Sequence, residues 1–227
     1  MTNRLDQEFL YLGNLRWTFS PVMSLFKKIF KSTSKSETRH SKDGGVDRGK
    51  YMPEINEPAD ERFTKNFIAN GGKLIYNITP SEIQQSFDNI LLENDWYEQQ
   101  VYCWDEHLID TFKGYNLDFG IYNNDAPFFL TTCESLIADN GSILVCSKQL
   151  KEKKINEFPI NIVVYATTSQ IVNNIGEGLR IIKDKTKGRI PSNITTIKNF
   201  QASKDEKDFM SYGSSTKNLY LLLLEDL

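Results

Sequence analysis

Three stretches of this 227-residue chain carry hydroxyls, a carboxylate and an ammonium that could together build a small-molecule site. The first is Thr131-Thr132-Cys133-Glu134, which reads as a turn ahead of a hairpin and offers two hydroxyls and a carboxylate. The second is Thr195-Thr196, at the end of a strand-like run from Ile194 to Ile197. The third is Gly213-Ser214-Ser215-Thr216-Lys217, where a permissive glycine, backbone N–H groups, three hydroxyls and an ammonium suit an anion. It is not a Walker loop, because the G-x-x-x-x-G-K-[ST] spacing is absent. If the three loops converge, they make a site for a phosphate-like or carboxylate-like ligand. The plainer readings stay open beside this one. The threonines then cap a helical turn with Glu134 facing water, and residues 213–217 form an ordinary polar turn.

Other combinations carry less chemistry. Asp105-Glu106-His107 suggests a metal site, but consecutive residues on a helix point in different directions, so they read as surface residues. Cys103, Cys133 and Cys146 contain no C-x-x-C spacing, which argues against a zinc ribbon or a self-contained iron–sulfur site. No metal ligand set and no resident cofactor is evident. Cys133 lies beside Glu134, yet the two histidines, His40 and His107, are distant in sequence, so Cys–His catalysis is not expected. The odd cysteine count and a start without a secretory apolar core fit a reducing, cytoplasmic setting. The longest apolar run, Leu219–Leu224, is too short to span a bilayer.

The elements that must position these residues lie in the second and third quarters of the chain and at its end. Composition is that of a globular protein, 39% hydrophobic and 25% charged with formal net charge −3. Residues 24–50 hold a local +5, which leaves −8 on residues 51–227. Residues 1–22 read as an unstructured upstream extension of the reading frame, with Met23 as the start. Residues 23–50 read as a basic tail and linker. Leu25, Phe26, Ile29 and Phe30 allow either a short interfacial helix, giving weak membrane-surface contact, or a frayed tail. The folded part is not basic, so nucleic-acid binding is not expected.

From residue 51 onward strands and helices alternate. Helices are expected at Glu61–Asn70, from Thr79-Pro80 onward and at Asp105–Phe112. Strands are expected at Lys73–Tyr76, at 100–103, at Leu117–Tyr122, at Ile162–Tyr165 and at Asn218–Glu225. Thr168 or Ser169 is expected to cap a helix carrying Ile171, Val172, Ile175, Leu179 and Ile182 on its buried face. Asn140-Gly141 joins Leu136-Ile137-Ala138 to Ile143-Leu144-Val145-Cys146, and is the strongest hairpin signal in the chain because both residues accept φ > 0. Both runs are continuously apolar and are expected to be covered on both faces, as in a layered α/β domain.

Three pieces of this pattern, taken in order, resemble the LUD domain, the family that includes lactate utilisation protein C. Thr131-Thr132 followed by Ile137-Ala138-Asp139-Asn140-Gly141-Ser142 is similar to the family's Ala-Glu-Thr-Gly-Thr/Ser hairpin and its upstream threonine. Ile162–Tyr165 with the helix after it, and Ile194-Thr195-Thr196 with the closing strand, resemble the family's later elements. The chain departs from the pattern in three places, which marks a divergent branch. Asp139 stands for the usual Glu, Thr196-Ile197-Lys198-Asn199 for a Gly-Pro-Ser run, and Gly213–Lys217 for a Gly-x-His-Gly-Pro loop. The resemblance implies a three-layer α/β/α single domain similar to the fold of ribose-5-phosphate isomerase and CoA transferases. It adds Asp139, Gly141 and Ser142 to the candidate ligand residues. It also implies an accessory role in oxidising L-lactate to pyruvate alongside iron–sulfur partner proteins. The alternative is a stand-alone enzyme or a ligand-sensing module that binds a phosphorylated sugar or an acyl-CoA-like anion, an analogy of fold alone.

Overall fold

The computed structural model describes residues 57–121, 126–186, 190–198, 200 and 218–226, together with the backbone at 11–12 and 15–16. The chain divides into two units, residues 1–56 and 57–227. In the first, β1 (Tyr11–Leu12) pairs antiparallel with β2 (Leu15–Arg16), within the stretch expected to be unstructured. The proposed helix around Leu25–Phe30, the basic linker and the Gly213–Lys217 loop lie outside the described residues.

The second unit opens with α1 (Ala59–Ala69), β3 (Lys73–Asn77) and α2 (Pro80–Asn94). Helix α2 begins where its sequence says it should. Thr79 accepts from the Glu82 amide as N-cap and Pro80 occupies the first turn, where its missing N–H costs nothing. There follow β4 (Gln100–Tyr102), α3 (Glu106–Phe112), β5 (Asp118–Gly120) and β6 (Phe128–Thr132). A hairpin of β7 (Ser135–Ile137) and β8 (Ser142–Val145) leads to the single turn α4 (Ser147–Leu150). The chain ends with β9 (Asn161–Thr167), β10 (Ile171–Val172), α5 (Ile175–Lys185), β11 (Thr195–Ile197) and β12 (Asn218–Leu224).

Six of these strands form an all-parallel sheet in the order β3-β12-β9-β6-β4-β5. Such a sheet must be covered on both faces, and it is. On one side α2 and α3 pack through Phe87 and Phe112, with Trp96 stacked on Phe128 of β6 at 4.6 Å between ring centroids. On the other side lie α1, through Phe63 and Phe67, and a second sheet of order β10-β7-β8-β11. The expected α/β architecture with helices on both sides is therefore observed, with a small sheet inserted in one layer. The hairpin alternates as a strand pair should. Leu136, Ala138, Ile143 and Val145 face the central sheet, while Ile137 and Leu144 face Ile182 of α5.

Two local expectations are corrected. The helix after β9 does not start at Thr168. Residues 168–170 form a 3-10 turn, Ile171–Val172 pair in parallel with Leu136–Ile137, and α5 is capped by Asn174, which accepts from the Glu177 amide. Its buried face is Gly178 and Ile182, whereas Ile175 and Leu179 are exposed. Gly178 allows the close approach, since a Cβ there would lie 2.9 Å from Leu144 and 3.3 Å from Ile137. The hairpin turn is also longer than a two-residue Asn-Gly turn. It spans residues 138–141, and of Asn140 and Gly141 only Gly141 adopts positive φ, at +65°. Asn140 instead accepts from the amide and hydroxyl of Ser142 through its side chain.

Helix α1 clamps this turn. Asn66 donates to the Ala138 carbonyl at 2.8 Å and Asn70 to the Asn140 carbonyl at 2.7 Å. A Cβ on Gly141 would fall 2.3 Å from backbone atoms of Asn66 and Phe67. Gly141→Ala combines a left-handed backbone with a clash against a helix that cannot give way. It should lower the unfolding free energy by at least about 2 kcal/mol in urea denaturation.

Candidate functional site

Strand order sets where a ligand crevice opens. After β4 the chain runs through α3 to β5, on one side of β4. After β6 it runs through the hairpin and α4 to β9, on the other side. The connections therefore diverge between the carboxyl ends of β4 and β6, the topological switch point at which open α/β sheets bind ligands. A cleft of about 170 Å³ lies there, lined by Trp104 and Asp105 after β4, Leu130, Thr131 and Thr132 of β6, and Lys148 and Gln149 of α4.

Most hydrogen-bonding groups in this cleft are already committed. Asp105 caps α3, its Oδ1 accepting from the His107 and Leu108 amides, while its Oδ2 accepts at 3.5 Å from Thr132 Oγ1. Thr131 Oγ1 donates to the Thr132 carbonyl, and the Trp104 indole donates to the Lys148 carbonyl at 3.0 Å. The Gln149 side chain accepts from the Cys146 amide and thiol and donates to Glu134. What remains for a ligand among the side chains is acceptor capacity on Asp105 and the threonine hydroxyls, the spare N–H groups of Lys148 and the second N–H of the Gln149 amide.

Behind the lining sits Glu134, 5% exposed. Its Oε1 accepts from Gln149 Nε2 at 3.2 Å and Cys146 Sγ at 3.3 Å, and lies 3.3 Å from the Lys148 ammonium. Burial pushes its pKa up, but the hydrogen bonds from Gln149 and Cys146 and the charge of Lys148 outweigh this, so it lies below the usual glutamate value. The thiols are the reverse case. Burial raises Cys146 and Cys133, and pushes Cys103 to about 12, so none is a ready thiolate. Among the described residues no group of three or more His, Cys, Asp or Glu could hold a metal ion.

The sequence pattern of the LUD domain matches residues 95–224. The chain belongs to the LUD-domain family. A crystal structure of a DUF162 family protein from Deinococcus radiodurans is similar in fold, with a TM-score of 0.52 and 13% identity. The likeness covers 74% of this chain and 96% of that one. No curated protein matches the chain in sequence.

Within this LUD domain the predicted residues separate. Thr131 and Thr132 line the cleft as the last residues of a central strand, where a turn was expected. Glu134 does not face water; it is the buried partner of Lys148. Asp139, Gly141 and Ser142 lie at the far end of the hairpin, where Asp139 pairs with Arg62 at 3.3 Å and the Ser142 hydroxyl donates to Asn140. Thr195 and Thr196 belong to β11 of the small sheet, opposite Val145 and Leu144, and do not line the cleft. Of the third loop, Gly213, Ser214, Ser215 and Lys217 are outside the described residues.

Sequence reasoning missed Trp104, Lys148 and Gln149, and read Asp105 as a surface helix residue when it is a half-buried N-cap lining the cleft. The Asp-before-helix signal was available for Asp105. No comparable signal marks Lys148.

Because the folded-state pKa of Glu134 is depressed, the charged form stabilises the fold fully above the usual carboxylate range and this contribution is lost as pH falls through the depressed value. A carbon-13 carboxyl titration should place the Glu134 midpoint below those of exposed glutamates. The stability difference between wild type and Glu134→Gln should shrink over the same acidic interval.

Proposed function

We propose that this LUD-domain protein is an accessory component of L-lactate oxidation to pyruvate, acting with iron–sulfur partner proteins that take the electrons, and that the switch-point cleft is where the hydroxy acid is held. Family membership supports the pathway. The single observation that supports the site is the set of valences the cleft leaves open. Lys148 offers N–H donors for a carboxylate, and Asp105 Oδ2 with the Thr132 hydroxyl offers acceptors for an alcohol O–H. A small 2-hydroxy acid meets both ends, and Leu130 and Trp104 supply an apolar wall for a methyl group. The oxo acid lacks the donor that Asp105 requires, so product binds less well than substrate.

The test is calorimetric titration with L-lactate and pyruvate, followed by co-purification from native cells scored for iron–sulfur proteins and lactate-dependent electron transfer. Lactate should bind more tightly than pyruvate. Lys148→Ala should weaken lactate roughly tenfold or more, as expected for loss of a charge-assisted hydrogen bond. Asp105→Asn should narrow the gap between lactate and pyruvate. A protein that ignores lactate and binds ribose 5-phosphate or an acyl-CoA would replace this reading with that of a stand-alone enzyme or sensor.

A further inference from the structure

We infer that Glu134, which does not line the cleft, determines its charge selectivity, by sharing the Lys148 ammonium so that the cleft accepts a singly charged carboxylate and turns away a phosphate dianion. The inference rests on the reading of the cleft given above and adds the class of anion it admits. Its basis is geometric. Among the described residues that line the cleft, Lys148 is the only cation and Asp105 the only carboxylate. Lys148 is half exposed at the cleft, and its Nζ lies 3.3 Å from the Glu134 carboxylate. Lys151, which is not among the lining residues, has its ammonium 5.3 Å from the centroid of the Trp104 ring. Among the described lining residues an incoming anion therefore meets one ammonium, whose charge is shared with Glu134.

Glu134 is suited to that role because it cannot leave. The two-residue link Cys133-Glu134 carries the chain from β6 of the central sheet to β7 of the small sheet, and the Glu134 amide donates to the Leu144 carbonyl at 2.8 Å. Gln149 and Cys146 then fix Oε1 from the α4 side. A monocarboxylate can take the spare N–H groups of Lys148 while Glu134 keeps its own contact. A dianion doubles its attraction to Lys148 and its repulsion from Glu134 and Asp105 alike, and with two carboxylates set against one ammonium the net repulsion doubles too. Phosphate also needs several donors converging on it, and besides Lys148 the described lining side chains commit the Trp104 N–H, the Thr131 and Thr132 hydroxyls and one Gln149 N–H to protein acceptors.

The experiment compares L-lactate and inorganic phosphate as probes, by calorimetry at mildly alkaline pH where phosphate is mostly dianionic. Wild type should bind lactate at least tenfold more tightly than phosphate, on the order expected from one uncompensated charge. Glu134→Gln keeps the shape and the Oε1 acceptor for Gln149 and Cys146. It should tighten phosphate on the order of tenfold and lactate by less, and adding Lys148→Gln should remove the gain. Equal affinities in wild type, an unchanged lactate-to-phosphate ratio in Glu134→Gln, or a gain that survives Lys148→Gln would each overturn the inference. If Glu134→Gln does not fold, Glu134→Asp, which draws the carboxylate back from Lys148, should move the ratio in the same direction; no movement there is equally fatal. Should wild type bind neither probe, the hydroxy-acid reading fails. The role of Glu134 is then decided by whether phosphate binding appears in Glu134→Gln.

Discussion

The central sheet is held together by the last strand of the chain. β12 lies between β3, the first strand of the domain, and β9, in parallel register with β9 along its whole length and with β3 from residue 220 to 224. Leu219, Leu221 and Leu223 point into the core shared with the small sheet, and Tyr220 points to the opposite face, where its hydroxyl meets Lys73 and Asn94. Without β12, β3 has no sheet neighbour and α1 and α2 lose the edge they cover. The pairing spans nearly the whole domain in sequence, so it carries a large loop-closure cost, which a mostly apolar strand buried on both faces offsets. The exit of β12 is fastened as well. Asp226 accepts from the Thr168 hydroxyl and from the amide and hydroxyl of Ser169, which hold its pKa down to about 2.

That constraint explains which parts of the fold could be read from sequence. Strands buried on both faces announce themselves as short β-branched or leucine runs, and β9 and β12 were legible for that reason. Helix α2 was legible from Thr79-Pro80, because a cap is local chemistry. The region after β9 was misread because Ile171, Val172, Ile175 and Leu179 keep a helical period while the structure uses them differently. Ile171–Val172 close the edge of the small sheet, and the face of α5 turned to Leu144 carries Gly178, which contributes nothing to an apolar count. Close packing selected the residue with no side chain. A periodicity argument cannot see that.

The candidate site was half legible for a related reason. Thr131 and Thr132 could be flagged because they sit at a strand end beside a hairpin signal. Asp105 joins them only because β4 lies next to β6, although β5 intervenes in sequence, and Lys148 only because the chain returns from the small sheet to the same place. Strand order of that kind is decided by packing of whole layers, and nothing local in Trp104-Asp105 or Lys148-Gln149 encodes it. The expected convergence on Thr195 and Thr196 fails for the same cause, since β11 pairs with β8 in the second sheet.

The chemistry of the cleft follows from the insertion of that second sheet. A chain that passes from a central strand into a separate sheet within two residues must bury what lies between, and here it buries a thiol and a carboxylate, Cys133 and Glu134. A buried carboxylate survives only if donors are brought to it. The donors come from just past the hairpin's second strand, Cys146 and then Lys148 and Gln149 of α4, where the chain returns to the same place. The ammonium is thus carried to the mouth of the cleft by the need to satisfy Glu134. The crossover therefore does two things at once: it joins the two sheets, and it delivers to the switch point a cation whose charge is already spoken for.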